Sequence, residues 1–350
     1  MLDARVWLLW ALTTLVTASS TRNPLYVIIL LLITAVVGGT CATEEGQRAP
    51  LSPLRFAMAA VPLSALFNAL TVHFGDTVVL RLPEWLPLMG GPITLEALIF
   101  GGVNGLTLTA VFSAFSVFNQ VTPVRDLIKL TPRAFHEGGV VLSIALTFIP
   151  QTTRSLHRIR EAQAVRGHRV QGVRDWLPIV VPLLVSGLER AMGLAEAMVA
   201  RGYGAVSYEG QPLRRQALLA LGLLTLLGGW LGYLFRPAAR IGAAGVMAVG
   251  ASLIGLVVWL TGRGVQHTIY KARRWTLGDT LTVVGCALTL AVALTQREAL
   301  TYSPYPHIEP PQFDPFVGLG TLGLLVPAIL KIRQDETRMD STKGVAGRTP

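Results

Sequence analysis

Residues 151–204 read QTTRSLHRIREAQAVRGHRVQGVRDWLPIVVPLLVSGLERAMGLAEAMVARGYG, and this stretch contains two segments of helical character. Each segment ends in the same dipeptide, Arg166-Gly167 in the first and Arg201-Gly202 in the second. Glycine after the last helical residue is a common stop signal, because it adopts the left-handed conformation at little cost. Arginine suits the same place, because its positive charge lies at the negative end of the helix dipole. The stretch therefore predicts two helices that end alike.

An apolar seam with steps of three and four residues precedes each Arg-Gly pair. Such spacing places the seam on one face of a helix, where it packs against a partner. Arg166 and Arg201 continue these faces beyond their apolar part, so we expect both side chains to leave the body of the protein and dock into another subunit. The first seam is Leu142, Leu146, Ile149, Thr153, Leu156 and Ile159, and the second is Leu184, Leu188, Ala191, Ala195 and Met198.

The stretch resembles the transmembrane (T) component of energy-coupling factor (ECF) transporters, the EcfT/CbiQ-like family, whose two cytoplasmic coupling helices each end in Ala-Arg-Gly. The second motif matches in full, and the first has Val165 in place of the alanine. The resemblance implies an importer of a vitamin or of a transition-metal ion such as cobalt or nickel. In it, two ATP-binding-cassette (ABC) ATPase subunits move the coupling helices and thereby reorient a small substrate-binding membrane subunit, the S component. The implied ATPase-coupling residues are Arg166, Gly167, Ala200, Arg201 and Gly202.

Composition independently indicates a polytopic membrane protein. Hydrophobic residues make up 51% of the chain and charged residues 14%, and the mean hydropathy is +0.52. Soluble domains carry about 25% charged residues. Cys41 and Cys286 lie at or within apolar runs, which indicates neither a disulfide framework nor a metal site. No cleavage-site pattern follows the first apolar run, so we expect that run to remain in the mature protein.

Eight apolar runs are predicted to cross the bilayer as helices, which gives an all-α polytopic fold. Two shorter runs, Val140–Pro150 and Trp176–Leu188, are predicted to be parts of long helices in a cytoplasmic coupling domain. We predict transmembrane helices over residues 1–121, the coupling domain over 122–214, further transmembrane helices over 215–331 and a disordered cytoplasmic tail over 332–350. The eight runs are Val6–Ala18, Leu25–Gly39, Arg55–Phe74, Ile93–Val121, Gln216–Phe235, Ile241–Thr261, Leu277–Thr295 and Phe313–Leu330.

Three other places also look like the family. A hairpin closed by Asn23-Pro24 opens the chain, Ile93-Thr94-Leu95-Glu96 begins a span, and Thr122–Leu130 reads as a short amphipathic helix. The chain carries more C-terminal spans than the resemblance leads us to expect.

The distribution of positive charge predicts the orientation in the plasma membrane of a prokaryote. Cytoplasmic loops of membrane proteins are enriched in Lys and Arg. With both termini in the cytoplasm, few of the 30 Lys and Arg residues fall outside. If Val140–Pro150 alone crossed the membrane, the arginines that follow it would move outside and the bias would largely collapse. The residues that fall outside are Arg22, Arg81, Arg236, Arg240 and Arg297.

Two other classes of transporter compete with this interpretation. Glu161-Ala162 with Gly167 partly resembles the cytoplasmic Glu-Ala-Ala loop of conventional ABC permeases, although Gln163 replaces the second alanine. This alternative is a permease subunit with its own translocation path. An autonomous secondary carrier would need ionisable residues within its spans, which are scarce here.

Enzymatic chemistry is not indicated. The sequence has no Gly-Lys-Ser/Thr phosphate-binding loop, so ATP is expected to be bound by partner subunits, and we expect no cofactor in this chain. Its six histidines are not spaced as metal ligands are. The expected partner is the lipid bilayer, and a net charge of +10 does not require a nucleic-acid partner as well. Glu189 and Glu196 lie seven residues apart, and we expect them to pair internally with arginines such as Arg190 and Arg160.

Overall fold

The computed structural model describes residues 2–42, 51–81, 91–131, 135–168, 172–203, 213–235, 240–262, 275–305 and 308–335. The chain divides into two compact units. The first unit consists of Met1–Leu130 with Lys271–Pro350, and the second of Thr131–Tyr270. The described residues are overwhelmingly helical, which confirms the all-α polytopic fold. The predicted division at residues 121, 214 and 331 concerns roles rather than packing, and it stays a prediction.

The first unit contains a bundle of long helices and one short two-stranded ribbon. The ribbon pairs β1 (Val78–Arg81) with β2 (Pro92–Thr94) in antiparallel fashion, and the side chain of Thr94 then caps the helix that follows. The N-terminal part of the unit contributes the helices α1 (Ala4–Ser20), α2 (Pro24–Cys41), α3 (Pro53–Thr71), α4 (Leu95–Val121) and the five-residue α5 (Val124–Ile128).

The described residues of the second unit form four α-helices. They are α6 (His136–Val165), α7 (Leu177–Ala200), α8 (Leu213–Phe235) and α9 (Arg240–Gly262), with a 3-10 turn, Val173–Trp176, directly before α7. The helices α8 and α9 pack closely because glycines lie at their crossing. A Cβ at Gly229 would lie 2.8 Å from the backbone nitrogen of Met247, and one at Gly250 would lie 2.7 Å from that of Leu226.

The C-terminal helices of the chain return to the first unit. They are α10 (Leu277–Thr295), α11 (Arg297–Leu300) and α12 (Pro315–Thr321), and α12 continues through a 3-10 turn, Leu322–Leu325, to form one helical rod over Pro315–Asp335. Residues 332–335 are therefore helical, and the prediction of a disordered tail is wrong there. Lys331 and Asp335, one turn apart, form an ion pair of 3.8 Å across this end. The remainder of the predicted tail, residues 336–350, lies outside the described residues.

Local signals explain how the first unit begins. Asn23 caps α2 by accepting a hydrogen bond from the Leu25 N–H at 3.1 Å, and Pro24 occupies the first helical position, where no N–H is needed. The predicted hairpin with an Asn-Pro turn is confirmed.

Buried side chains from both ends of the sequence share one core, in which Trp7, Trp10 and Leu30 meet Cys286 and Leu324.

The number of helices able to cross a membrane agrees with the prediction, but the set differs by one. By length and composition, eight helices in the described part of the chain could cross. Seven overlap predicted spans, and the eighth is Arg174–Ala200, which includes the run Trp176–Leu188 that we assigned to the coupling domain. The remaining predicted span, Val6–Ala18, lies within α1, whose 17 residues extend about 26 Å at 1.5 Å per residue.

Glycines in α4 allow that helix to contact the backbone of α3. A Cβ at Gly105 would lie 2.7 Å from the Cα of Val61 and 3.0 Å from the carbonyl oxygen of Ala60. Small residues at such crossings are characteristic of membrane helices, which associate mainly through close packing.

We expect Gly105→Leu to lower the melting temperature of the detergent-solubilised protein, because the added side chain must force α3 and α4 apart. Overpacking of this kind costs about 1–3 kcal/mol. Thermal denaturation monitored by size-exclusion chromatography checks the result. Gly102→Leu is the matched control, since a Cβ at Gly102 meets nothing within 4 Å. Equal melting temperatures for the two variants would contradict the prediction.

Candidate functional site

The first Arg-Gly pair forms the end of α6. Arg166 occupies the C-cap position, and Gly167 has a φ of +80°. The Gly167 N–H donates to the carbonyl of Ala164 at 3.0 Å, and the His168 N–H donates to that of Gln163 at 2.9 Å. These are the two hydrogen bonds of a Schellman motif, which satisfies carbonyls at the end of a helix.

The second Arg-Gly pair forms the end of α7 in the same way. Arg201 occupies the C-cap position, and Gly202 has a φ of +78°. The Gly202 N–H donates to the carbonyl of Val199 at 2.9 Å, and the Tyr203 N–H donates to that of Met198 at 3.0 Å. The prediction that the two helices end alike is confirmed, including the pattern of hydrogen bonds.

Both arginine side chains are exposed. Neither of them forms an ion pair with another residue in the part of the chain that the structure describes. A Schellman cap uses only backbone groups, so the cap itself occupies none of the donors of either guanidinium. The geometry therefore presents two similar cations, each exposed at the end of a helix and without an ion-pair partner among the described residues.

The side of α7 on which the apolar seam lies is mostly exposed within the chain, so its packing against a partner stays a prediction. Leu184 is 66% exposed and Leu188 is 63% exposed. The first half of α7 is apolar around much of its circumference, so steps of three and four residues can be traced along more than one face. The observed half-buried stripe consists of Leu183, Ser186, Arg190, Leu194 and Met198.

The apolar seam of α6 is half-buried at some positions and exposed at others. Leu146, Leu156 and Ile159 are half-buried, whereas Leu142, Ile149 and Thr153 are exposed. Beside Pro150, α6 carries an open apolar groove of about 410 Å³, lined by the half-buried Ala145, Phe148, Thr152 and Leu156 and by the exposed Ile149 and Thr153.

Among the described residues, three side-chain contacts connect the end of α6 to the start of α7 and the turn before it, and we call this region the corner. The ring of His168 places Nε2 2.7 Å from the backbone oxygen of Asp175. The Gln163 side chain donates to the backbone oxygen of Pro178 at 3.4 Å. The guanidinium carbon of Arg160 lies 5.8 Å from the centre of the Trp176 ring, within the range of a cation–π contact.

The corner determines how far apart the two arginines are. Arg166 lies two residues from His168 and therefore near the start of α7, whereas Arg201 is at the other end of that helix. The 24 residues of α7 extend about 36 Å at 1.5 Å per residue. The two cations are thus too far apart to bind one small ligand together.

Glu189 and Glu196 do not form the internal pairs that we expected. Both are exposed, and neither has an ion-pair partner within the described ranges. Arg190 instead turns back on its own helix, where its Nε donates to the carbonyl of Ser186 at 3.0 Å. Residues seven apart lie on one helical face, but that spacing does not bring a countercharge to them.

Comparison with known proteins decides the family. The CbiQ family, described as cobalt transport protein, matches residues 1–212. That range is well over half of the 350 residues and includes both Arg-Gly motifs. The chain belongs to the CbiQ family.

Individual relatives agree with this membership of the CbiQ family. The energy-coupling factor transporter transmembrane protein EcfT of Bacillus selenitireducens is 31% identical over 222 residues, which cover 58% of this chain and 78% of the relative. EcfT of Streptococcus thermophilus is 39% identical over 135 residues, 33% of this chain and 50% of the relative. EcfT of Lactococcus lactis is 30% identical over 149 residues, 41% of this chain and 48% of the relative. The latter two matches thus span only about half of those relatives.

The CbiQ-family chain is a transmembrane component of an ECF transporter, and its bacterial relatives place it in the cell membrane. The family is one of transporter membrane components and not of enzymes. Among the interpretations left open by the sequence, family membership favours the ECF transporter over the conventional permease and the autonomous carrier.

The corner is the part of this CbiQ-family site that sequence reasoning missed. Asp175, Trp176 and His168 lie in a polar stretch between two apolar runs and look like an ordinary loop. The available signal was the aromatic residue directly before an apolar run, with several arginines upstream that could stack on it. The hydrogen bonds of the His168 and Gln163 side chains could not be predicted from the sequence, because both are made to backbone carbonyls.

Proposed function

We propose that this protein is the coupling subunit of an ECF-type importer for a vitamin or a transition-metal ion. Arg166 and Arg201 dock into two ABC ATPase subunits, one arginine in each. Closure of the ATPase pair moves α6 and α7, and this motion reorients an S component that holds the substrate. ATP is bound and hydrolysed by the partner subunits, and this chain supplies no catalytic group.

The observation that carries the proposal is the pair of similar, exposed arginine caps, neither of which has an ion-pair partner in the described ranges. The guanidinium is planar, stays charged and pairs with carboxylates through two parallel hydrogen bonds, which suits it to a groove on an acidic partner. A separation of about 36 Å, the length of α7, suits two different subunits rather than one site. Gly167 and Gly202 end each helix so that the arginine is its last side chain before the turn.

The apolar exposed faces of α6 and α7 support contact with a membrane subunit. Leu184 and Leu188 on α7 and the groove beside Pro150 on α6 are apolar surfaces that need to be covered by lipid or protein. A small hydrophobic S component fits this chemistry. Substrate specificity would then reside in that partner.

The proposal requires both arginine caps to face the cytoplasm, where ATP is available. The helix α7 must then not cross the bilayer, although Arg174–Ala200 is long and apolar enough to do so. If α7 crossed, Arg166 and Arg201 would lie on opposite sides. With α7 in the cytoplasm and the eight predicted spans in place, both termini of the chain are cytoplasmic.

We expect cysteines introduced by Val165→Cys and Val199→Cys to react with a membrane-impermeant maleimide from the same, cytoplasmic side. Both positions are well exposed, at 89% and 72%, and each adjoins one of the caps. The experiment uses the full chain with the buried Cys41 and Cys286 replaced by alanine. Labelling is compared between right-side-out cells and inside-out membrane vesicles.

Glu309→Cys is the matched control, since Glu309 is exposed and lies in the segment before α12, on the predicted outer side. It should be labelled in intact cells, whereas the two test positions should be labelled only in inverted vesicles. Labelling of the two test positions from opposite sides would show that α7 crosses the membrane, and the proposed function would fail.

A further inference from the structure

The corner between α6 and α7 has a more definite structure than a connecting loop requires. The backbone oxygen of Asp175 can only accept a hydrogen bond, so the His168 Nε2 at 2.7 Å must carry the proton and donate it. The side chain of Asp175 accepts from the Gly172 N–H at 2.9 Å. This second bond closes the 3-10 turn and holds the accepting carbonyl towards the histidine.

The corner residues at the end of α6 lie on both sides of Arg166 in the sequence. Arg160 and Gln163 precede Arg166 by six and three residues, and His168 follows it by two. Each of the three contacts the start of α7, whereas Arg166 itself makes no ion pair with a described residue. The cap is therefore held from both sides while its own charge remains available.

We propose that the corner is a clasp that positions Arg166 with respect to α7, so that α6 and α7 move as one lever. The inference rests on the proposed function, because it explains how displacement of one arginine would reach the other end of α7. A glycine cap alone leaves the following residues free to pivot, since left-handed glycine has wide conformational freedom. The clasp removes that pivot, and His168 and Trp176 are its positioning residues.

The distance between spin labels at Val165→Cys and Val199→Cys reports the position of the first cap relative to α7. Both sites are exposed, and neither takes part in the clasp. Labels are placed in the full chain lacking Cys41 and Cys286, in nanodiscs with its ATPase partners, and the distance distribution is measured by pulsed electron paramagnetic resonance. We expect one narrow peak for the unmodified clasp.

Replacing His168→Ala together with Trp176→Leu is expected to at least double the width of that distribution. The matched control is His168→Gln with Trp176→Phe, which keeps an N–H donor and an aromatic ring and should restore the narrow peak. If His168 and Trp176 contributed only to overall stability, the two pairs of substitutions would not differ in the width of the distance distribution. If the double variant elutes as an aggregate, His168→Ala alone serves as the test, with His168→Gln as its control.

A distribution that stays as narrow in the alanine and leucine variant as in the parent overturns the clasp. Retention of ATPase subunits is measured on the same samples. The clasp variants keep both arginine caps and should retain the ATPases. ATPases retained by a variant that lacks both arginines would overturn the proposed function without affecting the clasp, so the two failures are distinguishable.

Discussion

Replacing Arg166 and Arg201 together with alanine is expected to release the ABC ATPase subunits while the protein stays folded in the membrane. Both guanidinium groups are exposed and have no ion-pair partner among the described residues. Their removal therefore leaves no buried charge unpaired within the chain. The cap hydrogen bonds run between backbone groups and survive the change.

The expected loss of affinity is large, because each arginine would leave a carboxylate of the ATPase without its partner. Breaking one buried, hydrogen-bonded ion pair costs about 3–5 kcal/mol. Since about 1.4 kcal/mol corresponds to a tenfold change in affinity, one substitution predicts a loss of about 100-fold or more. Arg→Lys at both positions keeps the charge but loses the planar fork, and should fall between the parent and the alanine variant.

The measurement is the molar ratio of ATPase to tagged chain after purification from the native membrane in mild detergent. A matched control, Arg154→Ala with Arg174→Ala, removes the same charge from exposed positions of the same unit, outside the two caps. That control should retain the parental ratio. If the cap variant also retained it, the two arginines would not be the ATPase contacts.

The helix ends were predictable from the sequence because their cause is local. A helix that ends with a left-handed residue usually has glycine at that position. The sequence places such a glycine after arginine twice, at residues 166–167 and 201–202. The same holds for Asn23-Pro24, where one side-chain acceptor and one missing N–H set the start of α2. Such signals need no knowledge of the rest of the chain.

Features that depend on distant neighbours were not predictable in the same way. The stripe of α7 that is half-buried within the chain differs from the apolar seam, because an apolar period shows that a stripe exists but not which stripe finds a neighbour inside the same chain. The corner was missed, because its acceptors are the carbonyls of Asp175 and Pro178, which every sequence possesses. The sequence predicts the additional C-terminal spans but not the helices against which they pack.

Removing residues 275–350 is expected to abolish folding of the first unit, although the family match ends at residue 212. The buried core there is built from both ends of the sequence. The indole Nε1 of Trp10, a fully buried side chain, donates to the carbonyl of Leu324 at 2.9 Å. The Asn23 side chain donates to the carbonyl of Gln312 at 2.7 Å, and the backbone N–H of Asp3 donates to the carboxylate of Asp279 at 2.9 Å.

The expected effect is large because few other interactions stabilise helices inside a bilayer. Lipid tails are as apolar as leucine, so packing and hydrogen bonds must hold the bundle together. Each buried polar group left without a partner costs about 1–3 kcal/mol. Several such losses together approach the whole stability of a typical domain, which is about 5–15 kcal/mol.

Monodispersity on size-exclusion chromatography and resistance to limited proteolysis check the prediction. A control chain that ends after Asp335 keeps every contact named above and should behave as the parent does. If the shortened chain lacking residues 275–350 were equally monodisperse and resistant, α10 to α12 would be an addition to a self-sufficient bundle.

Point substitutions separate the loss of specific contacts from the loss of bulk. Trp10→Phe keeps most of the ring but removes the donor to Leu324, and is expected to destabilise the protein by about 1–3 kcal/mol. Asp279→Ala should cost more, since that carboxylate also accepts from the backbone N–H and the hydroxyl of Thr276 at 2.8 and 2.6 Å. A melting temperature lowered in this order would show that the C-terminal helices complete the first unit, and an unchanged one would show that the family-matched part of the bundle folds without them.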